Sequence, residues 1–208
     1  MLEIIDLLLR YHQLFLEGVK NTLLLTITSY AFGFFIGLLV ALIRVYGPKP
    51  LKVLASVYVE LIRGTPMLVQ LFIIYFALPQ LGIVLDPMTA AFLGIGINSG
   101  AYQAEYIRGA IRAVPQTQWE AALSIGMTKL QVLRNIIVPQ ALRVAIPALT
   151  NEFIYLLKYS SIAYFITVIE LVYAGKIVGS ITFRYLEVYT LIAIIYLALS
   201  IAFIRLFR

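Results

Sequence analysis

Residues 115–147, PQTQWEAALSIGMTKLQVLRNIIVPQALRVAIP, form the longest run between strongly apolar segments of the chain. Thr117, with Glu120 three residues on, has the spacing of a capping box, in which a hydroxyl accepts from a first-turn N–H and a carboxylate reaches back to the cap. That spacing predicts a short helix from about Gln118 through Trp119, Ala121, Ala122 and Leu123. Gly126 ends it, because glycine enters the left-handed region without steric cost. Thr128 and Gln131 repeat the pattern, so a second helix starts at a new angle before Pro139. The expectation is a compact helical knob on a rigid stalk, with a loop over residues 112–135.

The surroundings of this knob are apolar. With 62% hydrophobic and 12% charged residues and a mean hydropathy of +0.96, the 208 residues fall far from soluble domains, whose charged fraction is about 25%. An all-α membrane protein is expected, since segments of about 20 apolar residues cross the hydrocarbon as helices. The short alternating segments of an outer-membrane barrel are absent. A net charge of +6 invites a nucleic-acid reading, but the basic residues are scattered at span ends and form no stripe. No cysteine occurs, which excludes disulfides, thiolate chemistry and cysteine metal sites.

In chain order, residues 1–17 read as an interfacial helix, with Ile4, Ile5, Leu8, Leu9 and Phe15 at near-helical spacing and acidic Glu3, Asp6 and Glu17. Residues 18–208 form a single transmembrane domain of five spans. The first runs over about 19–43 and contains Gly33 and Gly37, a spacing that either lets a second helix approach closely or reflects ordinary membrane-helix composition. The second covers about 52–78; Glu60 and Arg63 are three apart on one face and can neutralise each other, and Gly64 with Pro66 predicts a kink. The third spans about 87–110. Its Asn98, Tyr102 and Glu105 share a face that must point away from lipid, beside Ser99, and Glu105 reaches Arg108 as a structural ion pair.

The fourth span covers about 140–165 with an interruption at Pro147. Glu152 lies roughly 18 Å along it, near the midplane. A carboxylate at that depth costs about 3 kcal/mol on insertion scales. It needs a cavity, a cation or a partner on a neighbouring span, and it is the leading candidate for substrate contact, with Tyr155 one turn away. The fifth span covers about 188–203. Before it, Gly175-Lys176 lacks the Walker pattern, since Glu170 stands at the first glycine position and Ile177 at the Ser/Thr position. No cofactor, metal or catalytic residue is expected; energy must come from a partner.

Orientation follows from the basic residues. With the N terminus outside and the C terminus inside, ten of the sixteen lie on the cytoplasmic side, namely Arg44, Lys49, Lys52, Arg108, Arg112, Lys129, Arg134, Arg143, Arg205 and Arg208. Arg10, Lys20, Lys176 and Arg184 lie outside, with Arg63 and Lys158 inside spans. The same arrangement makes the knob cytoplasmic.

Several stretches carry a family resemblance. Glu120-Ala121-Ala122, Gly126 and Ile137-Val138-Pro139 resemble the EAA loop of the membrane subunits of bacterial ABC importers. Gly18 with Thr22-Leu23, Glu60-Leu61-Ile62-Arg63-Gly64-Thr65-Pro66, Ala101-Tyr102 with Glu105 and Arg108-Gly109, and Leu157-Lys158 with Ser161 resemble permeases for polar amino acids of the histidine, glutamine, arginine and lysine branch. Tyr159-Ser160 departs from the Asp-Thr usual after that lysine. The resemblance implies the small five-helix type I permease fold in the bacterial inner membrane, paired with a second permease subunit, a homodimer being preferred over a heterodimer. It implies a cytoplasmic ABC ATPase that grips a coupling helix at Trp119, Glu120, Ala121, Ala122, Leu123 and Gly126. An extracytoplasmic binding protein would deliver a polar, basic amino acid to a pocket of Asn98, Ser99, Tyr102, Glu152 and Tyr155. The protein would thus be a transport subunit and no enzyme.

The rival readings are a passive polar-solute channel, which has no need of a capped knob, and a membrane scaffold for a soluble partner, which leaves Glu152 and Asn98 unexplained. A DNA-binding helix-turn-helix fails because the second helix runs into an apolar span.

Overall fold

The structure is a computed structural model that describes residues 2–207, with side chains described from Ile4 onward. Met1 and Arg208 lie outside the described residues, as do the side chains of Leu2 and Glu3, so the acidic position at Glu3 and the basic position at Arg208 fall outside as well.

The described residues form helices joined by short turns, with no strand among them. Helix α1 is Leu2–Arg10 and α2 is His12–Tyr46. Helix α3 is Lys49–Gly64. Helix α4 is Met67–Phe72, continued by a π turn at Ile73–Ala77 and a 3-10 turn at Leu78–Leu81. Helix α5 is Pro87–Ala113, α6 is Gln116–Ser124 and α7 is Lys129–Val132. A π turn at Leu133–Ile137 leads into α8, Val138–Tyr159, and a 3-10 stretch at Ser160–Ile166. Helices α9, Leu171–Thr182, and α10, Tyr185–Leu206, complete the chain.

Three stretches are long and apolar enough to cross a membrane, His12–Tyr46, Lys129–Ile166 and Tyr185–Leu206. Counting the bent pair Lys49–Gly64 and Met67–Leu81 as one span makes four. The expected break is there, with Pro66 in extended conformation (φ −64°, ψ 134°) ahead of α4. Helix α5 falls outside this count. It carries Asn98, Ser99, Gln103 and Glu105, and it buries a ridge of Ala90, Ala91, Ile95, Ala101, Ala104 and Ile107. Phe35, Leu39, Ile194 and Leu197 stand exposed on the long apolar helices, a pattern that only a lipid solvent rewards.

Pro147, expected to interrupt the fourth span, sits inside α8 without ending it. A proline forfeits one backbone hydrogen bond, a loss that packing on the same helix can offset; Ala145 and Leu149 on either side are buried. Pro139 is met differently, by the π turn immediately before α8.

The chain divides into two compact units. The first comprises residues 1–31, 65–96 and 153–208 and holds two apolar cores. In one of them Leu7 and Phe15 pack with Leu171, Ala174 and Val178 of α9 and with Val188, Leu191 and Ile192 of α10. The N-terminal segment therefore leans on protein along one side, although Leu8 and Leu9 remain exposed. The second unit comprises residues 32–64 and 97–152. Its core joins Ala41, Ile107, Ile111, Ala122, Val132, Ile137 and Ala145, so the short α6 shares one core with the long helices of that unit. Gly37 enables a close helix–helix approach within it, since a Cβ there would stand 2.8 Å from Gln103 Cβ.

Candidate functional site

The knob is built almost as its sequence dictates. Gly126 has φ +84°. Its N–H donates to Leu123 O at 2.9 Å and that of Met127 to Ala122 O at 3.2 Å, the two bonds of a Schellman stop. Thr128 caps α7, accepting from the Gln131 N–H at 3.4 Å while the Gln131 side chain accepts from the Thr128 N–H at 2.8 Å. The first capping box is absent. Pro115 takes the cap position of α6 with no side-chain cap bond, so Thr117 falls inside the helix. Proline fixes its own φ and starts the turn two residues early, which leaves the Thr117 hydroxyl no cap to make. Glu120 instead accepts from Gln116 Nε2 at 3.0 Å.

One side of α6 is anchored and the other is open. Ala122 is buried, and Trp119 stacks on Tyr46 with centroids 5.4 Å apart and planes 12° apart. Glu120, Ala121, Leu123 and Ser124 are exposed, followed by Ile125 and Leu130 at 79% and 73% exposure. A helix of nine residues that is rigidly seated yet surrounded by bare apolar side chains is suited to insertion into a partner. An open cleft of about 450 Å³ lies beside it, lined by Tyr46, Arg112, Val114, Trp119 and Ile137 among others.

The polar residues of α5 and α8 assemble within the second unit on two adjacent faces. On one, Ser99 Oγ donates to Glu152 Oε1 at 2.8 Å and Gln103 Nε2 donates to Ser99 Oγ at 3.0 Å. Ser99, Gln103 and Tyr106 are spaced i, i+4 and i+7, so they form a stripe as regular as the one expected for Asn98, Tyr102 and Glu105. Glu152 is 5% exposed and meets the Ser99 hydroxyl of α5, the partner on a neighbouring span that was one of the three expectations for it.

On the other face Glu105 is bound by arginines from three helices. Arg108 Nη2 and Nε donate to it at 2.5 and 3.1 Å, and Arg44 Nη1 donates to Oε1. Arg63 Nη1 lies 3.9 Å from Oε2 and its guanidinium stands 5.1 Å over the Tyr102 ring. The expected Glu60–Arg63 pair is thus replaced by Arg63–Glu105, and Glu60 is exposed with no ion pair among the described residues. Neighbours three apart on a helix compete with partners across helices, and Glu105 offers a better shielded site. Tyr155 belongs to the first unit, is half exposed, and stacks on Tyr159 at 4.6 Å.

Sequence reasoning passed over Arg44, Gln103 and Glu170. Gln103 had a legible signal, its four-residue spacing from Ser99. Arg44 had none, being 61 positions from Glu105. Glu170 is fully buried at the start of α9, accepting from the N–H groups of Val172 and Tyr173 at 2.9 and 2.8 Å and from the Tyr196 hydroxyl at 3.1 Å. Burial pushes its carboxyl up to about 7. Among the described residues no group of acidic or histidine side chains could hold a metal ion.

Known proteins share this architecture. Residues 33–208 match the family described as binding-protein-dependent transport system inner membrane component. The L-cystine transport system permease protein TcyB of Bacillus subtilis is 46% identical over 163 residues, covering 78% of this chain and 70% of that protein. The glutamine transport system permease protein GlnP of Escherichia coli is 40% identical over 190 residues, covering 90% and 87%. A crystal structure of an amino acid ABC transporter with histidines matches with a TM-score of 0.89 and 44% identity over 96% of this chain and 94% of that one.

Proposed function

The chain belongs to the binding-protein-dependent transport system inner membrane components, and from that premise we propose how its parts divide the work. It is the permease subunit of an amino-acid ABC importer, a multi-pass inner-membrane protein and not itself an enzyme. ATP hydrolysis belongs to a partner ATPase, and a binding protein delivers the substrate. In our reading the chain crosses the membrane five times, α5 supplying the fifth crossing as an interior helix, with the N terminus outside and the C terminus inside. Helix α6 then faces the cytoplasm and enters the ATPase, two copies of the chain pair as a homodimer, and the cargo is a polar amino acid with a positive charge.

The observation that carries the mechanism is the seating of α6. Trp119 stacked on Tyr46 and Ala122 buried in the core of the second unit mean that a pull on the exposed face moves α2, α5 and α8 of that unit rather than deforming the knob. A passage that opens alternately to each side follows from such rigid-body transmission. The acidic Glu152 supports a cationic cargo, as does the solved relative with histidines, while the named cystine and glutamine relatives mark the neutral alternatives.

The test is uptake of labelled arginine, histidine, glutamine and cystine into proteoliposomes holding the chain with its ATPase and binding protein. Import that requires ATP and favours the two basic candidates is expected. Equal flux without ATP would establish a channel instead, and preference for glutamine or cystine would remove the basic-substrate assignment alone.

A further inference from the structure

Glu105 is one carboxylate shared by three guanidinium groups, and the three are not equivalent. Arg44 and Arg108 occupy both of its oxygens by hydrogen bonds, with side chains 15% and 21% exposed. Arg63 remains 3.9 Å away, is 40% exposed, and rests on the face of Tyr102. Glu60, one turn back, makes no ion pair among the described residues to balance it. The cluster therefore carries surplus positive charge concentrated at Arg63, in a segment read as crossing the bilayer. Charge at that depth is tolerated where it faces protein or a water-filled passage.

We propose that Arg63, backed by the Tyr102 ring, receives the α-carboxylate of the transported amino acid. This rests on the amino-acid importer reading. A guanidinium offers a planar fork that matches a carboxylate bidentately, and Arg63 is the one member of the cluster with its fork unspent. The stack on Tyr102 holds the fork flat without satisfying its donors, which leaves them for a carboxylate.

Direct binding to the permease–ATPase complex in nanodiscs tests this without the binding protein, using L-arginine, L-histidine and L-glutamine beside their α-amides. The wild type is expected to prefer each acid over its amide by roughly tenfold to a hundredfold, the size of a charge-assisted hydrogen bond. Arg63→Gln is expected to weaken the acids to the level of the amides and to leave the amides unchanged, and Arg63→Lys to lower the preference by an intermediate factor. Equal loss for acids and amides in Arg63→Gln would show that Arg63 only braces Glu105, and an unchanged ratio would overturn the proposal outright. Should Arg63→Gln fail to assemble, the acid-to-amide ratio of Arg63→Lys decides by the same criterion. A wild type that binds acids and amides alike sinks the subsite while leaving the importer reading intact, and one that binds neither contradicts the pocket and the subsite together.

Discussion

Ser99 Oγ stands 2.8 Å from Glu152 Oε1, tying α5 to α8 with both groups buried. A buried carboxylate deprived of a donor keeps its desolvation cost, which for one lost hydrogen bond is about 1–3 kcal/mol. Ser99→Ala is expected to lower thermal stability by about that amount and to weaken amino-acid binding. Thr190→Ala on the exposed side of α10, where the hydroxyl merely caps back to Leu186 O, is expected to leave both unchanged. Thermal unfolding of the purified variants checks the difference.

Glu105→Gln leaves Arg44, Arg63 and Arg108 close together without a counter-charge. Removing one partner of a shielded ion pair typically costs about 3–5 kcal/mol. The partial exposure of the cluster places the expected loss near the lower bound, roughly 3 kcal/mol. Arg44→Gln is expected to cost less, because Arg108 still holds the carboxylate through two bonds. Melting temperatures of the two variants in one detergent give the comparison.

Gly126→Ala meets no steric obstacle, since nothing lies within 4 Å of the added Cβ. The whole penalty is the left-handed backbone at φ +84°, about 1–2 kcal/mol. Because α6 makes its outward contacts beside this residue, the expected phenotype is reduced ATPase stimulation by substrate with the membrane helices intact. Gly126→Asn, which tolerates that conformation better, is expected to retain more coupling.

The second half of the knob was legible because its signals are local. Gly126 and the Thr128–Gln131 box each act over three or four residues, where spacing alone determines geometry. The Thr117–Glu120 spacing had the same form and failed, since Pro115 two residues earlier seizes the helix start. Pairings between helices were illegible for a different reason. Arg63 has Glu60 on its own helix and Glu105 across the bundle, and only packing decides between them. Glu152 was legible as a costly carboxylate in a span, while its actual partner, Ser99, depended on the rotation of α5, which a helix polar on two adjacent faces leaves open.

Glu170 gives a pH dependence with a definite sign. Burial holds its carboxyl at about 7 against an ordinary 4.5, so the folded state keeps the proton more tightly than the unfolded chain. Stability from this group is fully present below pH 4.5 and is lost as pH rises through 7, an interval worth roughly 3 kcal/mol. Glu170→Gln is expected to flatten the fall in melting temperature between those values, and parallel curves for wild type and variant would contradict it.

The most direct test of the central claim uses the absence of native cysteine. Ile125→Cys places a single thiol at the exposed end of α6, and Phe183→Cys places one at an equally exposed position after α9. A short thiol-reactive photocrosslinker on each, in the complex assembled with the ATPase, should give a covalent permease–ATPase product from Ile125→Cys that changes in yield when ATP binds, and none from Phe183→Cys. No product at position 125, or a product only at position 183, would show that the ATPase does not grip the knob and would contradict the account.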